Sequence, residues 1–144
     1  MTLRICLAAA LVVAGALSGS AFSSTGLDGT YRATISGADL RGVGAPAGIA
    51  VVDAGVWRLV IAKGRWTLTQ RGGLYGNAVD RGDVKVEGPV AKFTLRSSDG
   101  HPHHVYGGAL RWRRIGRGLR LAIIGPERED VARVLAARLW LSAA

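Results

Sequence analysis

The sequence predicts an all-β fold: an eight-stranded antiparallel up-and-down barrel with a short lid segment and one helix before the last strand. Three observations carry this expectation. Short alternating segments recur between Thr30 and Leu141, their connections are alternately long and very short, and each tight connection sets apolar residues opposite apolar residues. Successive hairpins of an up-and-down barrel turn at opposite ends, so one end collects tight turns and the other long loops.

The elements follow in order. Thr30 to Ser36 is the first strand, with Tyr31, Ala33 and Ile35 on one face. Gly42, Gly44, Pro46 and Gly48 open the next segment as a loop, in which Ala45 to Val52 is a short apolar helix or lid. Val56 to Ala62 and Arg65 to Arg71 are strands two and three, Asp83 to Glu87 and Val90 to Ser97 four and five, and Tyr106 to Arg114 and Leu119 to Ile124 six and seven. Glu127 to Ala137 is helical by its charged first turn and the spacing of Val131, Val134 and Leu135, and Arg138 to Ser142 closes as strand eight.

Register tests this reading. A turn at Lys63-Gly64 sets Ile61 against Trp66 and Leu59 against Leu68. One at Gly88-Pro89 sets Val86 against Ala91 and Val84 against Phe93, and one at Gly116-Arg117 sets Trp112 against Leu121 and Leu110 against Ile123. A one-residue slip would turn every one of these side chains to the other face. The remaining connections, residues 37–54, 72–81, 98–105 and 125–137, are long and belong to the opposite end, with Asp80-Arg81-Gly82-Asp83 as a polar turn entering strand four.

Residues 1–21 have the pattern of a secretory signal peptide: Arg4, an apolar run from Ile5 to Leu17, then Ser18-Gly19-Ser20-Ala21 before a cleavage site after Ala21, with Ala16 as the alternative. The run is shorter than the roughly 20 apolar residues of a spanning helix. Residues 22–144 would then form one domain, secreted or held in the periplasm or cell envelope. The single cysteine, Cys6, falls within the first 21 residues, so the domain has no disulfide or thiolate site. The chain carries 19 basic and 10 acidic residues, for a net charge of +9. Sixteen of the basic residues are Arg in an Ala- and Gly-rich chain, which composition bias explains more simply than selection for nucleic acid. An exported positive surface meets anionic membrane or wall polymer instead, and no nucleic-acid partner is expected.

Gly29-Thr30-Tyr31 stands where lipocalin-like (calycin) barrels have Gly-any-Trp in their first strand, and the long first loop and the helix before the last strand are also calycin features. From Leu27 to Leu141 the chain therefore resembles that family. The resemblance implies an Arg from a late strand packed over the first-strand aromatic, with Arg138 as counterpart and Arg120 as second choice. It also implies binding of a small, mostly apolar molecule without catalysis.

Three constellations are candidates for function. Tyr31, Trp57, Trp66, Phe93 and Trp112 point inward and would line an aromatic ligand pocket, or simply fill the barrel. Arg111, Arg113 and Arg120 form an outward basic patch, with Arg113 directly across from Arg120, a repulsive pairing that a bound anion or plain solvation would relieve. His101, His103 and His104 follow Asp99-Gly100 in a long loop, and imidazoles ligate Zn, Cu or haem iron; Pro102, Gly100 and the single adjacent carboxylate favour a solvent-exposed turn. No nucleophile elbow, P-loop or metal-binding helix motif occurs, so no enzyme activity and no cofactor are expected. The leading expectation is an exported binding protein for a small apolar molecule. Its alternatives are a solid barrel docking anionic lipid or wall polymer through the Arg patch, and a metal or haem binder using the His loop.

Overall fold

A computed structural model describes residues 26–125 and 130–143. The expected signal segment and the first residues of the expected helix, 127–129, lie outside the described residues. Eight strands close into a barrel in chain order: β1 (Gly29–Ile35), β2 (Gly55–Ala62), β3 (Arg65–Gly73), β4 (Gly76–Glu87), β5 (Val90–Asp99), β6 (Gly108–Ile115), β7 (Gly118–Ile123) and β8 (Trp140–Ser142). Helices α1 (Gly37–Gly42) and α2 (Ala47–Val52) fill the first long connection, and α3 (Asp130–Ala137) precedes β8.

Every neighbouring pair is antiparallel, and all six apolar pairings expected across the tight turns occur: Leu59 with Leu68, Ile61 with Trp66, Val84 with Phe93, Val86 with Ala91, Leu110 with Ile123 and Trp112 with Leu121. Lys63 and Gly64 both take positive φ, 51° and 73°, which matches the right-handed twist of the strands they join. Burial alternates as the period of two requires: Trp57, Leu59 and Ile61 are shut inside while Val56 and Arg58 face out.

Two departures shape the open end. The expected loop over 72–81 is a hairpin instead, because β3 and β4 continue to Gly73 and Gly76. Asp80-Arg81-Gly82-Asp83 is consequently not a turn but the middle of β4, with Ala78, Asp80, Gly82 and Val84 pointing inward. A bulge between Arg81 and Gly82 brings strand β5 and the ring of Trp66 against Gly82, where a Cβ would collide with the Thr94 carbonyl oxygen and the indole. The second departure is α1, absent from the sequence reading. Ser36 caps it, its hydroxyl accepting from the Asp39 N–H at 3.1 Å while the Asp39 carboxylate accepts from the Ser36 N–H at 2.8 Å.

Large side chains fill the interior. Trp57, Trp66, Trp140, Tyr31 and Phe93 are all buried, and Trp66 meets Phe93 edge to face at 5.8 Å. Their polar atoms are paired: Trp57 donates to Asp53 O, Trp66 to Asp83 O, Trp140 to Leu135 O and Tyr31 to Leu27 O. Helix α3 buries Val131, Val134 and Leu135 and packs on β6, β7 and α1. At the tight-turn end the guanidinium of Arg114 lies 5.3 Å from the Tyr31 ring centroid and donates to the carbonyls of Gly26 and Asp28. The arginine over the first-strand aromatic is thus Arg114 of β6, not Arg138 or Arg120; Arg138 faces Asp39 at 3.8 Å.

Candidate metal centre

The open end is closed by a knot of buried ionisable side chains. Four elements supply it. Asp53 is the C-cap of α2, anchored by its N–H to Ile49 O at 2.9 Å. Gln70 and Asp80 point inward from β3 and β4. His101, His103 and His104 come from the loop after β5, which turns at Gly100 with φ +89°. A Cβ at Gly100 would stand 2.8 Å from that of Ala78, so the loop is pressed onto β4.

The histidines are therefore not the solvent-exposed turn their composition suggests. His101 and His104 are 1% and 3% exposed, and Asp53 and Asp80 are fully buried. Only His103 reaches solvent, its side chain 18% exposed. The His101 ring stacks on Trp57 at 5.3 Å and lies 4.2 Å from the His104 ring.

Hydrogen bonding fixes the protons. Both amide hydrogens of Gln70 are committed, to Val52 O at 2.9 Å and Ala54 O at 3.0 Å. Its Oε1 must accept, so His101 carries a proton on Nε2, 2.7 Å away. His104 stands between two carboxylates, Nδ1 2.7 Å from Asp80 and Nε2 3.2 Å from Asp53. Carboxylates only accept, so both ring nitrogens bear protons and His104 is an imidazolium. Burial opposes that charge, but the hydrogen bonds to Asp53 and Asp80 and their negative charges override it and hold its pKa up at about 9. Burial would likewise raise the Asp80 pKa, yet the nearby ring nitrogens of His101 and His104 and the Ser98 hydroxyl hold it far below the usual carboxylate range. His103 Nε2 approaches the second oxygen of Asp53 at 2.8 Å.

Two sets of three donor atoms result, each within 4.8 Å of one another: Asp53, His103 and His104, and Asp80, His101 and His104. The first opens to solvent through His103; the second is dry. Nitrogen and carboxylate oxygen without thiolate suit Zn²⁺, Cu²⁺ or Co²⁺.

The other sequence candidates lie away from this knot, except Trp57, which stacks on His101. Tyr31, Trp57, Trp66 and Phe93 are spread along the interior, each at most 2% exposed. Trp112 is half-buried at the tight-turn end, its indole N–H donating to Gly88 O at 3.0 Å. Arg111 and Arg113 are exposed and Arg120 half-buried, and Arg113 pairs across from Arg120 as expected. Sequence reading missed Asp53, Gln70 and Asp80. Nothing in their local sequence marks them; only the closure of the barrel brings them to the histidines. Comparisons with protein-family models, with curated proteins and with solved structures give no match.

Proposed function

We propose that this protein binds a divalent transition-metal ion, with Asp53, His103 Nε2 and His104 Nε2 as ligands and an open fourth position toward solvent. The carrying observation is His104, whose Nε2 faces the ligand set while its Nδ1 donates to the buried Asp80 carboxylate at 2.7 Å. Metal-bound imidazoles characteristically donate their other ring N–H to a carboxylate, which fixes the ring and strengthens the ligand. A metal would take the place of the Nε2 proton, and Asp53 would pass from hydrogen-bond acceptor to ligand. The barrel architecture and the Arg114–Tyr31 stack support a lipocalin-like assignment, and the 1–21 pattern supports export. Tyr31, Trp57, Trp66 and Phe93 are each at most 2% exposed, which favours the His–Asp knot over an internal apolar ligand as the site.

Calorimetric titration of Zn²⁺ into chelator-stripped protein tests this. One equivalent should bind, and His103→Ala/His104→Ala should bind at least about 100-fold more weakly. Equal affinity in both proteins would remove the histidines as ligands.

A further inference from the structure

The seam between β1 and β8 is open along part of its length. Strand β8 is three residues long and pairs with β1 only at Tyr31 and Arg32. Above that point Ala33, Thr34 and Ile35 have no β8 partner, and a cleft of about 470 Å³ opens there, bordered by Val56, Leu139 and Leu141, with Arg138 at its rim. Val56 and Leu141 are 50% and 59% exposed, so the cleft offers an uncovered apolar wall.

This cleft meets a second one, about 270 Å³, at Arg32 and Val56. Its walls are Arg32, Arg58, Thr69 and Arg71 on the outer faces of β1, β2 and β3. Arg32 stands directly opposite Arg58, Arg58 opposite Thr69, and Arg71 opposite Val56. Like charges facing each other across a strand pair destabilise it unless something neutralises them. Among the described residues no carboxylate lies within 4.0 Å of Arg32, Arg58 or Arg71, whereas Arg81, Arg96, Arg133 and Arg138 each have one. The two clefts adjoin at Arg32 and Val56 and together offer a groove-like outer surface with unneutralised positive charge at one end and apolar walls at the other. Its remaining cation, Arg138, is already faced by Asp39, which directs an anion to the Arg58 end.

We infer that this groove binds a single-chain amphiphile with a phosphate head: the head on Arg32, Arg58, Arg71 and the Thr69 hydroxyl, the tail along Val56, Leu139 and Leu141. Guanidinium groups bind phosphate oxygens through paired N–H donors, and a doubly charged head matches the clustered arginines. The site is separate from the His–Asp knot and does not depend on a metal there.

Dodecyl phosphate, kept below its micellar concentration and titrated into the full chain, tests the inference, with inorganic phosphate and dodecanol as partial ligands. Dodecyl phosphate should bind one to one, with each partial ligand at least about 100-fold weaker. Shortening the tail should cost up to about fourfold per methylene removed. Arg58→Ala/Arg71→Ala should weaken binding about tenfold or more, and Leu141→Asn several-fold, in proteins whose far-ultraviolet circular dichroism is unchanged. Inorganic phosphate binding as well as the amphiphile would overturn the tail site, and unchanged affinity in the arginine variant would overturn the head site. Binding to anionic vesicles without binding to the monomer would replace the groove with a flat membrane contact.

Discussion

His104 Nδ1 lies 2.7 Å from the carboxylate of Asp80, 24 residues earlier, and neither side chain is exposed. A charge pair removed from water survives only if its hydrogen bonding is complete. Here it is: Asp80 also accepts from Ser98 Oγ at 2.5 Å, and the far side of His104 is held by Asp53. That completeness holds the proton on His104 Nε2, which the proposed metal ion would have to displace.

Breaking the pair should be costly. Asp80→Ala leaves the buried imidazolium with one carboxylate fewer, and we expect a loss of about 3–5 kcal/mol in urea unfolding. Asp80→Asn, which keeps the shape and an acceptor oxygen, should lose less.

Stability of the metal-stripped protein should peak in mildly acidic solution. The His104 pKa is raised from 6.5 to about 9, so its contribution is fully present below about 6.5 and lost as pH rises through about 9. The Asp80 pKa is depressed from 3.8, so its contribution is present above about 3.8 and lost as pH falls toward the folded value. Urea midpoints measured from pH 3 to 9.5 should therefore be highest between about 4 and 6.5. A midpoint that climbs steadily from pH 6.5 to 9 would contradict the imidazolium.

Metal affinity should show the opposite trend. Binding releases the His104 Nε2 proton, so Zn²⁺ affinity should rise about tenfold per pH unit below the His104 pKa. Titrations in several buffers should give close to one proton released per ion at pH 7, and no release would exclude His104 as a ligand.

Gly82→Ala should be among the most damaging small substitutions. The added methyl meets backbone on β5 and the Trp66 ring, which have no room to yield. We expect a loss of about 2 kcal/mol or more, or loss of folded protein, whereas Gly42→Ala, where a Cβ meets nothing within 4 Å, should be close to neutral.

Arg114 should matter for the other end of the barrel. Arg114→Ala removes the cation over Tyr31 and the donors to Gly26 and Asp28, for an expected loss of roughly 1–2 kcal/mol by thermal unfolding. Arg138→Ala should cost less, because its carboxylate partner is 3.8 Å away and the side chain is exposed.

The barrel was legible because its hairpins obey a period of two around glycine turns, which leaves one register for Leu59, Trp66, Val84 and Leu110. The first half of β4 was not, since Asp80 and Gly82 occupy inward positions where an apolar residue would have continued the pattern. Both have local reasons that only the folded chain supplies: Asp80 meets histidines, and Gly82 yields to Trp66 and β5. Helix α1 had a readable sign in the Ser36–Asp39 capping box. The histidines were legible as residues but not as a site. Asp53 lies 51 residues before His104, and no local spacing announces such a contact.

The central claim is the ligand set, and X-ray absorption at the zinc edge of the zinc-loaded protein tests it most directly. The expected result is a four-coordinate ion with two imidazole nitrogens and two oxygens at about 2.0–2.2 Å, reduced to one imidazole in His103→Ala. A shell of oxygen alone, or one unchanged by His103→Ala, would contradict it.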